Sequence, residues 1–339
     1  MSLLIIAACV GAAVLLYYSQ IFLRQIWLLR AFKGPLALPI VGNIYTAEAV
    51  VFLKYLATCR KRFGNVFVYF AFTKPYLVVT EPSIARRVMS DSKTFPKGDD
   101  YATKFNIAFG KGLVTSEGEK HKADRAVFGK YFVRLNIAKY LPRINSLAIE
   151  GFEAMCVPNA TQNIESVFAR LALRVFMNFC VGSDLSHDLK EEGTFCRTVS
   201  EASFDVGSLI VMNMPVVSFN PYVVRIKKFV EYTWGILKPI CEERKLKMAE
   251  GETFDDPLDA MLKQSLSEKE MSEHMITMIS AGHDTTAFFA SYCVYLLGQH
   301  PTCQDLVRAE MNNVLGDRVE VTAEDLNEFK YLHKVMQEV

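Results

Sequence analysis

The sequence predicts a mainly α chain with a small β-sheet near its N-terminus, preceded by one transmembrane helix. Three observations carry this: an uncharged apolar opening segment, two β-branched and aromatic runs between residues 66 and 80, and helical apolar spacing over most of the chain after residue 101. With 339 residues, 51% of them hydrophobic, the chain can bury a sizeable core. Aromatics at 12% and ordinary Gly and Pro usage exclude disorder and low-complexity repeats. The 38 basic and 37 acidic side chains leave a net charge of +1, which offers no general attraction for nucleic acid. Eight cysteines without a CxxC pair favour neither a disulfide scaffold nor a zinc site, so no metal-ligating set is expected among them.

The elements follow in order. Residues 1–23 hold no charge and are just long enough, at about 1.5 Å per residue, to cross a hydrocarbon core of about 30 Å. Tyr17, Tyr18 and Trp27 sit at the boundary, and Arg24, Arg30 and Lys33 follow, so the rest of the chain is expected on the cytoplasmic side. A cleaved signal peptide would place charge before the apolar run, where there is none. Residues 24–45, basic and broken by Gly34-Pro35 and Pro39, read as a stiff linker to a globular body over 46–339. Residues 50–62 have helical spacing and stop at Gly64-Asn65. Residues 66–72 and 76–80 read as a hairpin around Lys74-Pro75, and Pro82 opens a helix towards Ser90. Beyond residue 101 the helical pattern is expected to break at Pro142, Pro158, Pro215, Pro239 and Pro257. The 19 uncharged residues 206–224 have the length of a second span. Gly207, Asn213, Pro215, Asn220 and Pro221 interrupt them, which favours a core segment or a membrane-dipping element.

Residues 267–298 are the most informative. Ser267 and Glu270 form a capping box, and Gly298 with Pro301 is a stop signal, enclosing a helix of roughly 45 Å that is apolar nearly all round. Such a helix runs through the middle of a domain. Its centre reads Ala281-Gly282-His283-Asp284-Thr285-Thr286. Gly, Asp and Thr loosen a helix interior, which points to a distorted groove at this place. Ala281 and Gly282 remove bulk, Asp284 puts an ionisable group inside, and Thr285 adds a hydroxyl, a combination suited to proton delivery. A kinked packing helix with a satisfied Asp fits the same residues. His283 is placed on a different side from Asp284 by regular helical geometry.

The Ala-Gly-x-Asp-Thr-Thr stretch resembles the oxygen-activating motif of the cytochrome P450 monooxygenases, microsomal type. Four other stretches agree in the family's order: the anchor with Gly34-Pro35 through Asn43; Gly118 to Arg125, similar to the family's Gly-x-x-Trp-x-x-x-Arg helix but with His121 in place of Trp; His300-Pro301 with Gln304 and Glu310; and Thr322 to Leu326, Tyr331-Leu332 and Glu338, which resemble the approach to the Glu-x-x-Arg helix. The resemblance implies haem as cofactor, with Arg125 and His121 at its propionates and Ala281, Gly282 and Thr286 along its face. It implies that Thr285 holds and protonates the activated oxygen while Asp284 relays protons. It also implies a membrane-bound NADPH-dependent reductase as electron donor, a body facing the cytoplasm from the endoplasmic reticulum, and a lipophilic substrate of fatty-acid or sterol type. Phe105, Phe109 and Phe288 are candidates to line its pocket, and ordinary core packing explains them as well, while Arg125 read alone is a solvated charge in the basic stretch 120–125.

The departures are as informative. The sequence stops at Val339, one residue after Glu338, before the Arg of Glu-x-x-Arg, and no cysteine stands in the family's Phe-x-x-Gly-x-Arg-x-Cys-x-Gly loop. Cys180-Val181-Gly182 shares only Cys-x-Gly. The chain is therefore expected to be part of a longer enzyme. The alternatives are a truncated, haem-free, membrane-anchored binding or regulatory protein, and an unrelated multi-span membrane protein.

Overall fold

The computed structural model describes residues 2–43, 52–133, 138–155, 161–182, 192–211, 214–264 and 266–339. The end of the expected linker (44–45), the expected helix start at residue 50, and Pro158 lie outside them. The chain divides into two compact units, residues 1–100 with 207–220, and residues 101–206 with 221–339.

The first unit opens with α1 (Ser2–Leu28), five residues longer than the uncharged run, because Arg24 and Gln25 are good helix formers and the first breaker comes at Gly34-Pro35. Among the described residues it is the one helix long and apolar enough to cross a membrane. Its Ile5, Val10 and Leu16 are exposed, whereas Phe22 is buried edge-on against Phe70, with ring centroids 5.4 Å apart. The sheet is one antiparallel hairpin, β1 (Val66–Ala71) with β2 (Lys74–Val79), pairing Val66 with Val79 and Ala71 with Lys74. The turn falls at Phe72-Thr73, with Phe72 at φ +53°, and not at Lys74-Pro75 as the sequence predicts. Pro75 is accommodated inside β2, a strand paired on one side only within this sheet.

The proline-rich segment is more than a spacer. Val68 donates to the Lys33 carbonyl at 2.9 Å, Asn43 N–H donates to the Phe70 carbonyl at 2.9 Å, and Phe70 N–H donates to Asn43 Oδ1 at 2.7 Å. Gly42, at φ +62°, lies so close to the Phe70 and Phe72 carbonyls that a side chain would collide with them. The segment thus extends the sheet past β1. Helix α2 (Phe52–Phe63) packs Tyr55 and Cys59 onto Phe67, Tyr69 and Ala71 and ends at Gly64, and α3 (Pro82–Ser90) begins at its proline. The uncharged stretch 206–224 is not a single helix among the described residues, since one helix ends at Val211 and the next begins at Pro221.

The second unit holds α4 (Asn106–Phe109), α5 (Gly118–Gly129), α6 (Leu141–Met155), α7 (Ile164–Val181), the start of α8 (Glu192–Val211), α9 (Pro221–Ala249), α10 (Pro257–Lys263), α11 (Glu268–Gln299), α12 (Pro301–Leu315), α13 (Asp325–Glu328) and α14 (Lys330–Glu338). The expected breaks resolve differently. Pro142 and Pro257 lie in first turns, where the missing N–H costs nothing. Pro239 lies inside α9, which gives up the bond to the Gly235 carbonyl and continues. Helix α11 starts on the expected capping box, Glu270 N–H donating to Ser267 Oγ at 3.3 Å and Ser267 N–H to Glu270 Oε2 at 3.2 Å.

Met271, Met275, Ile276, Met278 and Ile279 of α11 pool with Leu173, Met177, Phe179 and Cys180 of α7 in one apolar core. Cys180-Val181-Gly182 is the end of α7, with Gly182 at φ +65° closing the helix. Cys180 is fully buried, and burial, with Asp256 adding to it, pushes its thiol well above the usual range. Its match to the family's cysteine loop is therefore a helix terminus in a core. Beside it, buried Arg244 donates to Asp256 Oδ2 at 2.7 Å and to the Val181 carbonyl, and its guanidinium lies 3.8 Å over the Phe254 ring. Asp256 also caps α10 through Asp259 N–H at 2.9 Å.

This knot joins the ends of α7, α9 and α10, and a buried charge left alone costs about 3–5 kcal/mol. Arg244→Met is expected to lower unfolding free energy by that order. The double variant Arg244→Met, Asp256→Asn, which keeps the cap and removes the second charge, is expected to recover part of it in urea unfolding of the detergent-solubilised chain.

Candidate functional site

The backbone of α11 continues as an α-helix through residues 281–286, so the distortion predicted from Gly, Asp and Thr is not found. The reason is local. Thr285 Oγ1 donates to the Ala281 carbonyl at 2.6 Å, spending its hydroxyl inside the helix. Asp284 turns away from the backbone and accepts from Ser200 Oγ of α8 at 2.7 Å. Burial pushes the Asp284 carboxyl up, but the neighbouring His283, the hydrogen bond from Ser200 and the nearby Ser203 outweigh it and hold the group below its ordinary value. Fully buried His283 comes within 3.1 Å of Asp284 through Nδ1. Neighbouring helical side chains diverge by about 100°, yet this imidazole and carboxylate come within reach of each other, closer than the sequence reading places them.

Gly282 faces α7, where the Phe176 ring occupies the space a side chain would need. Two apolar cavities of about 270 Å³ each meet at this notch. One is lined by Arg125, Phe128, Thr277, Ala281 and Gly282, the other by Arg143, Leu147, Phe179, Gly282 and Thr286, and both share Phe132 and Phe176. Arg125, Ala281, Gly282 and Thr286 of the predicted set are thus brought around one place. Arg125 is exposed and forms no ion pair among the described residues.

The other predicted residues lie elsewhere. His121 is half-buried and lines neither cavity, and Thr285 is exposed. Phe105 stacks on Tyr101 with ring centroids 4.7 Å apart, and Phe109 packs against the main core. Phe288 is 52% exposed on α11. Glu338 is exposed at the rim of a separate apolar groove with Leu296, Leu297 and Tyr331. Glu310, singled out only as part of a motif, has a definite role: its two carboxylate oxygens accept from Tyr331 N–H at 2.6 Å and Leu332 N–H at 2.8 Å, fixing the start of α14. Similarly, Asp325 accepts both Arg318 nitrogens, at 2.8 and 2.9 Å, and Thr322 N–H at 2.8 Å. Ser200, Ser203, Phe132 and Phe176 escaped sequence reading. Ser200 and Ser203, three apart, share a helix face, but nothing in the sequence says which helix that face meets.

The donor set suits haem. Apolar walls fit a macrocycle, Ala281 and Gly282 add no bulk of their own against it, and a guanidinium at the rim suits a carboxylate. No cysteine lines either cavity.

Residues 32–339 match the family model described as Cytochrome P450. Similar proteins include Protein LUTEIN DEFICIENT 5, chloroplastic, of Arabidopsis thaliana, 26% identical over 88% of this chain and 53% of that protein. Beta-amyrin 11-oxidase of Glycyrrhiza uralensis is 22% identical over 79% of this chain and 55% of that protein. Bifunctional cytochrome P450/NADPH--P450 reductase of Aspergillus oryzae is 22% identical over 90% of this chain and 28% of that protein. The chain spans about half the length of the first two.

Ser200→Ala removes a hydrogen bond to a charged group, worth about 1.5–3 kcal/mol. Because the Asp284 carboxyl is depressed on folding, its stabilisation is present above the ordinary carboxylate value of about 3.9 and lost as pH falls through the folded value. Ser200→Ala is expected to lower stability at neutral pH and to flatten the acid limb of stability against pH, read by urea unfolding.

Proposed function

The chain belongs to the cytochrome P450 family, and from that premise we propose that the whole protein is a haem-dependent monooxygenase inserting one oxygen atom from O2 into a lipophilic substrate. The observation that carries this reading is the meeting of Arg125, Ala281, Gly282 and Thr286 around one notch, with Gly282 and Thr286 each two residues from Asp284.

Haem, when bound, supplies dioxygen activation, with a thiolate ligand favouring O–O cleavage. This chain's residues contribute position and protons. Arg125 donates to a propionate carboxylate and fixes the cofactor's edge. Ala281 and Gly282 let the ring approach the axis of α11, and Phe132 and Phe176 exclude water from its face. Asp284, held ionised by Ser200 and His283, accepts a proton at a carboxylate oxygen and passes it on, and Thr285 Oγ1 delivers it once it swings off the Ala281 carbonyl.

Helix α1 anchors the protein in a bilayer by its apolar length, with the body on the cytoplasmic face of the endoplasmic reticulum by the charges that follow it. A fatty-acid or sterol-like substrate suits that location, and the oxidase similar to this chain is named for beta-amyrin. An NADPH-dependent reductase as electron donor is in keeping with the fused reductase of the Aspergillus oryzae relative.

Haemin titrated into the detergent-solubilised chain tests the pocket. A Soret shift with saturable affinity is expected, weakened about tenfold or more in Arg125→Ala, in line with a charge-assisted bond. No saturable binding would remove haem from the account of this chain. In the complete protein supplied with reductase, Asp284→Asn is expected to lower turnover about 100-fold or more, with oxygen consumed but substrate unconverted. Unchanged turnover would remove Asp284 from the proton path.

A further inference from the structure

A second titratable cluster lies on α11, nearly three turns before Asp284 and unused by the reading above. His274 is 1% exposed, and neither ring nitrogen has a hydrogen-bond partner among the described residues. Its Nε2 stands 3.6 Å from Asp124 Oδ2 on α5, too far for a hydrogen bond. The same oxygen accepts from Lys120 Nζ at 3.0 Å. One turn further along α5, the Phe128 ring lies 5.0 Å from the imidazole. These side chains join α5 to α11 beside the cavity that Arg125 and Phe128 share with Ala281 and Gly282. A leucine at this place would pack without the cost of an unpartnered polar ring, so the imidazole has consequences that a hydrocarbon would not.

We propose that His274 is a positioning residue: its neutral ring, packed against Phe128 and beside Asp124, holds α5 on α11, and its protonation releases α5 and with it Arg125. The charged groups facing the ring among the described residues are Asp124 and Lys120 of α5 and Glu270 of α11. Burial disfavours the imidazolium most strongly, Asp124 and Glu270 favour it, Lys120 opposes it, and the balance lies below the ordinary histidine value. A released α5 exposes the ring to water, where it titrates near about 6.5. Proton uptake therefore accompanies opening. The closed state keeps its full advantage above that pH and loses it as pH falls, by at most about tenfold per pH unit for one proton. The consequence for haem rests on the reading in the preceding subsection, while the latch itself does not.

Hydrogen exchange by mass spectrometry on the full chain in detergent, from about pH 8 to about pH 5 and corrected for intrinsic exchange, tests the latch. Residues 118–129 are expected to lose protection by up to about tenfold per pH unit below about 6.5, with α6 and α12 little changed. His274→Gln is expected to flatten that response. An α5 response no steeper than that of α6 and α12 would overturn the proposal, and this comparison needs only the native chain if the variant does not fold. A native slope retained in His274→Gln would overturn it too. Haemin affinity falling in step with α5 protection supports the latch and the haem reading together. Loss of α5 protection with unchanged haemin affinity supports the latch and contradicts Arg125 as the propionate partner.

Discussion

The larger unit depends on the close approach of α11 to α7. A 32-residue helix with apolar side chains round most of its first half cannot exist in water, and α7 supplies the neighbour it needs. At Gly282 the Phe176 ring takes the missing side chain's place. The same absence of bulk that makes the packing possible makes the notch, and two apolar cavities meet there. Gly282 therefore serves the packing first, since only a residue without a side chain lets the Phe176 ring sit against α11 at this place.

Polar groups inside this helix persist because each has been given something to do. Thr285 bonds back to the ladder, Asp284 reaches Ser200, and His283 leans on Asp284. Held ionised in a partly desolvated place, Asp284 is costly to fold around and suited to moving protons. The Arg244–Asp256 knot is of a different kind: it fixes three helix ends to one another, with no cavity beside it that the candidate site uses.

Much of this was legible in the sequence because local signals were strong. The capping box of Ser267 and Glu270, the stops at Gly64 and at Gly298 with Pro301, and the β-branched and aromatic runs between residues 66 and 80 all act through nearest neighbours, and the structure places these elements within a few residues of where they read. The errors share a cause in tertiary context. Pro239 reads as a breaker, but a long helix with many other bonds absorbs the loss of one. Lys74-Pro75 reads as a turn, but Phe72 takes the positive φ and the strand resumes through the proline. The linker reads as a spacer because backbone pairing with β1 leaves no side-chain pattern. At the site, the small residues and the acid were readable. Ser200 and Phe176 were not, since a partner some 80 or 100 residues away is fixed by packing and leaves no trace in local spacing.

The proposed haem slot at Gly282 depends on how much bulk the notch tolerates. Haemin affinity of the folded chain in Phe176→Ala, Gly282→Val and the pair combined tests it. Phe176→Ala is expected to bind at least as tightly as the native chain, and Gly282→Val to lose binding about tenfold or more in both backgrounds, as expected when bulk is forced into a close contact. Equal affinity in the native chain and both Gly282→Val variants would contradict it and leave the notch as packing alone.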